Sequence, residues 1–558
     1  MLRLKIRAPL ALLALASCGP KKPQSAVRTV TILAINDTYR VEGLVEAGTG
    51  GLARLRALRE ALEADRGELL LLHAGDMLNP SFMSRAYLGD QMIEGLNLLD
   101  GDASSFDNRM FVIFGNHEFD RGKLTDAPKL DSQIEAAGFR WVNSNVVFKQ
   151  GEDEAPLVAA PNLVADAITE VNGVKVGLMG VTIDSSFPAY VDHFEDPIET
   201  ARAKTAALRA AGAELVVAVT HLAMAQDEAL LAALGADGPD LIVGGHDHTR
   251  QCAVVEGHGV YKADADASTA SVFTISVEPG KAPAVDHRYA FLGGTPATSP
   301  SCPSAPLNLA VAPDPDLQAW TDALVTRFDA EWCQERLSLP PGCLSEALGR
   351  TNTDFVAEED RIRRFETSAG DWVADTMRGA MADRGATIAF VNAGSLRLNQ
   401  DIPGGSLLTR RHAEELLGFP ANLRLIELDG ATLQQVVDHA ISDWTGSGHW
   451  LQVSGFAYRH DPQAGTATGL TLLEQGGARP IRPDEKLLAV TNDFLLDPAK
   501  GQDGYTMLRP DMVRAEGPEL KALLQSTLQA AGEAGISPKA EGRICNTVEG
   551  GPCLAISP

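Results

Sequence analysis

This 558-residue sequence is short of positive charge: 48 lysines and arginines stand against 74 aspartates and glutamates, a formal net charge of −26. A polynucleotide-binding surface needs a basic footprint, so a nucleic-acid polymer is excluded as a partner. A small anion is not, because a local site can be positive inside an acidic protein; any phosphate-handling site must bring its own cations. Long apolar runs are also missing. Past the N-terminus no stretch approaches the roughly 20 apolar residues that cross a bilayer, so no spanning helix is expected. The chain shows no internal repeat and no extended low-complexity segment. Cysteine is sparse, at seven residues.

The N-terminus explains one of those cysteines. Met1 to Arg7 is basic, Ala8 to Ala16 is a short apolar run, and Ser17 and Cys18 follow. A basic region, a short apolar region and small residues describe a secretory signal. Leu15-Ala16-Ser17-Cys18 looks like a lipobox, where bacterial lipoproteins are cleaved and acylated on cysteine, and Gly19 to Ala26 then reads as a flexible tether. The expectation is an exported protein, lipid-anchored through Cys18 in the bacterial cell envelope and facing the periplasm or the cell exterior, with no other contact to the membrane. The remaining cysteines are Cys252, Cys302, Cys333, Cys343, Cys545 and Cys553. An even count in an oxidising compartment suggests up to three disulfides, and the sequence-close pairs Cys333–Cys343 and Cys545–Cys553 are the easiest to bridge.

From Thr29 onward short apolar runs end repeatedly in polar residues. Val30 to Ile35 stops at Asn36-Asp37, Leu69 to Leu72 at His73-Ala74-Gly75-Asp76, and Met110 to Phe114 at Gly115-Asn116-His117-Glu118. Leu215 to Val219 stops at Thr220-His221, and Leu241 to Val243 at Gly244-Gly245-His246-Asp247-His248. Such runs read as buried strands, and helix-like stretches lie between several of them, as in Leu52 to Leu62 and Ala201 to Ala211. The alternation predicts a layered α/β domain with its ligands just past strand ends. Residues 295–315 read as a linker. Asp314-Pro315 then caps and opens a helix with an apolar stripe, Leu317, Trp320, Leu324 and Phe328, taken to connect two domains. A second set of strands and helices starts near Thr351. The expected division is signal 1–17, tether 18–28, first domain 29–294, linker and connecting helix 295–345, and second domain 346–545.

Asp37, Asp76, Asn116, His117, His221, His246 and His248 gather at those strand ends. Divalent metals take oxygen and imidazole ligands, and this set offers both. One carboxylate such as Asp76 can bridge two ions about 3.5–4 Å apart, as a two-metal hydrolase requires. A lone Asp or His after a strand is usually structural; five such pieces in order are hard to obtain by chance.

Taken together, Asn36-Asp37, Gly75-Asp76, Gly115-Asn116-His117-Glu118, Thr220-His221 and Gly245-His246-Asp247-His248 resemble the calcineurin-like metallophosphoesterase superfamily. Glu118-Phe119-Asp120 and the chain's size narrow the resemblance to the bacterial 5′-nucleotidase family, over roughly Thr29 to Gly504. The resemblance implies an N-terminal metallophosphoesterase domain of β-sheets flanked by helices and a C-terminal α/β substrate-binding domain. It implies two divalent ions of the zinc, manganese or magnesium type, one held by Asp37, Asp76 and His248 and the other by Asp76, Asn116, His221 and His246. His117 and Asp120 resemble the family's catalytic dyad, serving attack by a metal-activated water without a phosphoenzyme. Tyr39 departs from the family, which has histidine there. A neutral phenol is a poor ligand, so Tyr39 is expected to hydrogen-bond near the metal or to fill space, with direct ligation the alternative. His73 is expected to pack.

In the second domain, Val391-Asn392-Ala393-Gly394-Ser395-Leu396-Arg397 resembles the family's substrate loop. Arg363 and Arg397 match arginines that hold phosphate and ribose, and Asn392 matches a residue near the base. Phe419 and Phe494 match the pair that sandwiches a nucleobase. Asp503, in Gln502-Asp503-Gly504-Tyr505, matches an acceptor of ribose hydroxyls. The expected activity is hydrolysis of nucleotides outside the cytoplasm. Its rivals are a 2′,3′-cyclic nucleotide phosphodiesterase, a nucleotide-sugar hydrolase, a sulfohydrolase of related architecture, which the base-stacking phenylalanines disfavour, and a non-catalytic nucleotide-binding lipoprotein, which the intact His117–Asp120 pair disfavours.

Overall fold

The computed structural model describes the chain from Val27 to Leu554, apart from residues 152–153, 186, 295–298, 300, 443–447, 463, 475–476 and 549–552. The signal, Cys18 and nearly all of the tether lie outside the described residues.

Two large sheets form the body of the first unit, beside a two-stranded one of Val146–Phe148 and Val191–Phe194. A seven-stranded sheet runs in the order Ala284–Phe291, Thr269–Val277, Arg28–Ile35, Leu69–His73, Met110–Val112, Arg140–Val142, Leu163–Val164. A six-stranded sheet runs Gln251–Val255, His258–Lys262, Leu241–Gly244, Leu215–His221, Val174–Thr182, Ala167–Val171. The sheets share a core. Val30, Ile32, Leu70 and Leu72 from one meet Leu178, Val217, Val219 and Val243 from the other. Alternate residues point outward: Leu33, Leu69 and Leu71 pack on Leu55, Leu58 and Leu62 of the helix Leu52–Arg66. On the far side Val216 and Ala218 pack on Ala201 and Leu208 of the helix Pro197–Ala210. Strands buried on both faces have no polar face to show, which is why they read as unbroken apolar runs.

The helix expected to connect the domains spans Pro315–Glu331, with the Asp314 carboxylate capping the Leu317 amide at 2.8 Å. It is a wall of the first unit rather than a free connector: Leu317, Leu324 and Phe328 enter the same core as Leu55 and Leu58. Its Asp329 pairs with Arg411 of the second unit.

That second unit holds a five-stranded sheet in the order Leu451–Ser454, Ile388–Asn392, Lys486–Asn492, Asn422–Asp429, Val513–Glu519, and a four-stranded sheet of Gly477–Pro480, Ala467–Glu474, Phe456–His460 and Ile544–Asn546. Cys252–Cys302, Cys333–Cys343 and Cys545–Cys553 are disulfides. Among the described residues no helix is long and apolar enough to cross a membrane.

Candidate active site

The metal-seeking side chains stand where parallel strands end, on loops forced into unusual backbone. Asp37, Asp76, His246 and His248 have φ of 49°, 61°, 82° and 60°. Non-glycine residues rarely hold such angles, and clusters of them mark sites where surrounding structure over-determines the backbone. Here the restraints are visible. Glu118, buried one residue past His117, accepts the amides of Gly115, Asp76, Met77 and Leu78 at 2.6–3.0 Å. Gly75 has φ 85°, and a Cβ there would stand 2.6 Å from the Gly115 amide nitrogen, so these two strand-end loops approach as closely as backbone allows. On the facing sheet the buried Lys262 ammonium reaches Asp247 Oδ2 at 2.6 Å, Asp227 Oδ2 at 2.9 Å and the Gly245 carbonyl at 2.9 Å, pinning the Gly245–His248 loop. The Asp227 contact is ionic, without the angle of a hydrogen bond.

Ligand-type atoms of Asp37, Asp76 and His248 lie within 4.8 Å of one another. Beside them His221 Nε2 is 3.2 Å from both Asp76 Oδ2 and Asn116 Oδ1, and His246 Nδ1 is 3.1 Å from Asn116 Oδ1. Asp76 thus faces both groups. Two fully buried carboxylates opposed to imidazoles and an amide oxygen are the donor set of a cation site. The orientation of His221 fits as well. Its Nδ1 donates to the Ala74 carbonyl at 2.7 Å, which turns Nε2 toward Asp76 and Asn116, the usual way a metal-binding histidine is oriented from behind. Burial pulls His221 down, but Asp76 and Asp37 more than offset it and raise its pKa to about 9; for Asp37 burial is likewise outweighed, by His221 and His248, leaving it at about 2. The carboxylates therefore stay ionised.

The Tyr39 hydroxyl stands inside this group, 3.0 Å from His248 Nε2, 3.1 Å from Asp76 Oδ2 and 3.4 Å from Asp37 Oδ1. Its backbone is fixed by Asp266, which accepts the amides of Tyr39 and Arg40 at 2.9 and 3.0 Å. Burial first, then Asp76 and Asp37, push the phenol pKa well above its ordinary value, so the hydroxyl is neutral and donates. His73 is fully buried and neither ring nitrogen has a hydrogen-bond partner among the described residues, and burial pulls it down to about 4. That is the packing role expected of it.

His117 Nδ1 lies 3.0 and 3.1 Å from the two carboxylate oxygens of Asp120, and its amide donates to Asp76 Oδ1 at 2.8 Å. Burial lowers the imidazole, but Asp120 and Asp76 outweigh it and carry the pKa up to about 8. Next to this pair opens a cavity of about 420 Å³ whose lining includes Tyr39, His117, Asp120, Arg397 and Phe419.

Of the residues matched in the second domain, Arg397 and Phe419 line that cavity, whereas Arg363, Asn392, Phe494 and Asp503 are outside its lining. Arg397 is fixed by donating from Nε to the Gly394 carbonyl at 2.7 Å, while its buried Nη1 has no hydrogen-bond partner among the described residues. Arg363 Nη2 meets Glu359 at 2.5 Å. Asn392 is buried, donates to Asp503 Oδ2 at 2.6 Å, and accepts from Ser395 and Asn492 at 2.6 and 3.0 Å. One of its two amide protons therefore holds Asp503 in place. Phe419 is 64% exposed, whereas Phe494 is half-buried against the core of its own domain and is not part of the cavity lining.

Sequence reasoning missed Glu118, Asp266, Lys262 and Glu359 as site-building residues. Glu118 was within reach, since it directly follows the dyad histidine in a conspicuous polar stop. Asp266 and Lys262 act on residues well separated from them in the chain, with no local signal, whereas Glu359 shows locally only its i,i+4 pairing with Arg363 and not its approach to His248.

Known proteins bear on this geometry. A family model described as calcineurin-like phosphoesterase matches residues 30–250, and one described as the 5′-nucleotidase C-terminal domain matches residues 347–510. The chain is 23% identical to the 5′-nucleotidase of Mus musculus over 550 residues, covering 90% of this chain and 88% of the relative. It is 24% identical to that of Homo sapiens, covering 96% and 94%. Among solved structures, a 5′-nucleotidase precursor from Thermus thermophilus superposes with a TM-score of 0.69 at 23% identity, covering 92% of this chain and 99% of the other. A sulfate thiohydrolase from the same organism superposes with a TM-score of 0.66 at 17% identity, covering 93% and 97%. At these identities the superpositions speak for the fold, which both chemistries share.

Proposed function

Because the chain belongs to the 5′-nucleotidase family of calcineurin-like phosphoesterases, which are metal-dependent phosphoric ester hydrolases, we propose that it removes phosphate from nucleotides outside the cytoplasm. The observation that carries this is the convergence of Asp37, Asp76 and His248 with Asn116, His221 and His246, next to a histidine–aspartate pair that opens onto a cavity. These residues would hold two divalent ions, with Asp76 shared between them; such ions supply Lewis-acid activation of the phosphoryl group and of the attacking water.

The chain's own residues do the rest. His117 binds a phosphoryl oxygen and gives a proton to the leaving oxygen, while Asp120 fixes its ring orientation and favours its charged form. Arg363 and Arg397 hold phosphate through guanidinium forks. Phe419 and Phe494 hold the base by stacking, and Asp503, steadied by Asn392, accepts from ribose hydroxyls. We assign Tyr39 to hydrogen bonding with Asp76 and Asp37 rather than to ligation, because its hydroxyl stands 3.1 and 3.4 Å from their carboxylate oxygens and a phenol is a poorer donor than the imidazoles around it.

Export and anchoring through Cys18 rest on the N-terminal sequence, with three disulfides in support, since such bonds persist in oxidising compartments. The test is phosphate release from AMP with and without added Mn²⁺ or Zn²⁺, followed by a panel of other phosphomonoesters, 2′,3′-cyclic nucleotides and nucleotide sugars. Metal-dependent release from AMP is expected; turnover of the cyclic or sugar substrates alone would replace the assignment, and no turnover with any of them would overturn it.

A further inference from the structure

Glu359 matches no motif and has no role in the chemistry above, yet it touches three parts of it. It opens the short helix Glu359–Ile362 in the second domain, with its side chain only 9% exposed. Its carboxylate meets Arg363 Nη2 at 2.5 Å and lies 3.7 Å from Arg397 Nη1, and Asn399 Nδ2 donates to it at 3.1 Å. Across the boundary between domains it lies 3.5 Å from His248 Nδ1. A carboxylate is the same kind of acceptor for a guanidinium fork as a phosphate oxygen pair. It stands on the two arginines that the function proposed above gives to the phosphate, and among the described residues Arg397 Nη1 still has no hydrogen-bond partner.

We propose that Glu359 is an internal counter-anion of the substrate arginines: it holds Arg363 and neutralises Arg397 while no nucleotide is bound, and the phosphate of a substrate takes these contacts over. This inference rests on the assignment of Arg363 and Arg397 to phosphate. Part-buried guanidinium groups without an anion would be destabilising, and Glu359 offsets that in the ligand-free site. An incoming phosphate therefore gains only the difference between its own contacts and those it displaces. Both the ester and the free phosphate product are bound less tightly than the arginines alone would hold them, and product leaves faster. Glu359 thus sets affinity without touching the reacting atoms.

The opposing account is purely structural: Glu359 props the two arginines and, through Nδ1, His248 in place. The two accounts differ in sign. The experiment uses the full chain saturated with Mn²⁺, comparing wild type, Glu359→Gln and Glu359→Asp. Inorganic phosphate binding is measured by calorimetry and as a competitive inhibition constant, alongside KM and kcat for AMP and metal content. Glu359→Gln is expected to bind inorganic phosphate about tenfold tighter or more, the value of one charge-assisted contact no longer competed for. KM should fall with it, kcat should not rise, and Glu359→Asp should stay near wild type. Equal or weaker phosphate binding by the Gln variant overturns the proposal in favour of the structural account. An Arg397→Gln variant separates the two levels: if it leaves phosphate binding of the wild-type background unchanged, the assignment of the arginines has failed. If phosphate binding shifts as expected but no phosphoester is turned over, the proposed activity has failed and the role of Glu359 stands.

Discussion

Replacing Lys262 by methionine tests how the Gly245–His248 loop is held. The ammonium is fully buried between Asp227, also fully buried, and Asp247, at 2.9 and 2.6 Å. At an effective dielectric near 20, each such pair is worth roughly 5–6 kcal/mol before solvation is counted. Desolvation of the three charges, several kcal/mol per ion, cancels most of that gross attraction. Removing one partner is a different quantity, because methionine fills the volume but leaves two carboxylates with no cation. The expected loss is about 3–5 kcal/mol, which lowers the thermal midpoint of the N-terminal domain by roughly 6–20 °C at about 2–4 °C per kcal/mol. The loss also depends on pH. Burial already raises the Asp227 pKa, and without Lys262 that carboxyl must stay protonated to remain folded. The unfolded chain releases this proton above about pH 4. The folded variant then binds more protons than the unfolded one, so its stability falls as pH rises. Differential scanning calorimetry at pH 5 and pH 8 should show a deficit that is larger at pH 8. Adding Asp227→Asn to the methionine variant should recover part of it. A deficit below about 1 kcal/mol at both pH values, or no recovery in the double variant, would refute the view that this ion cluster is what pins the loop.

Four further outcomes are expected. His117→Ala should retain its metal content, measured by plasma emission, and lose roughly 10²–10⁴ in kcat, the range of a general acid–base group; wild-type turnover would remove it from the chemistry. Tyr39→His should raise metal stoichiometry at limiting free metal by supplying an imidazole donor, whereas a wild type that already holds two ions tightly and loses one on substitution would make Tyr39 itself a ligand. Cys18→Ser should abolish incorporation of labelled lipid and release or leave uncleaved the exported chain; unchanged labelling would exclude the lipobox. Asp371→Asn should stabilise the second domain increasingly from pH 5 to pH 8. Burial first and Glu366 second push Asp371 up to about 10, so the wild type loses stability by keeping that proton as pH rises while asparagine does not; melting curves that stay parallel across this range would contradict it.

The sequence by itself determined the parts of this protein whose physics is local. Strands buried on both faces must be apolar throughout, so Leu69–His73 and Leu215–His221 announce themselves, and the polar residues that stop them must lie at sheet ends where ligands gather. The Asp314 cap and the apolar stripe of Pro315–Glu331 are equally local. The arrangement of these pieces was not local. Whether that helix links two bodies or walls one of them depends on which surface covers Leu317 and Phe328, and only the packed core decides it. Asn392 shows in its motif as a residue near the base, but its bond to Asp503, 111 residues away, exists only in the folded chain. Tyr39 shows in the sequence as a departure, yet its hydroxyl finds His248 and Asp76 only when opposing strand ends meet. Lys262 carries no signature at all, and Glu359 only its i,i+4 pairing with Arg363, because a buried charge is defined by its partners, and Asp227, Asp247, His248 and Arg397 come from other segments that only the tertiary structure brings within a few ångströms.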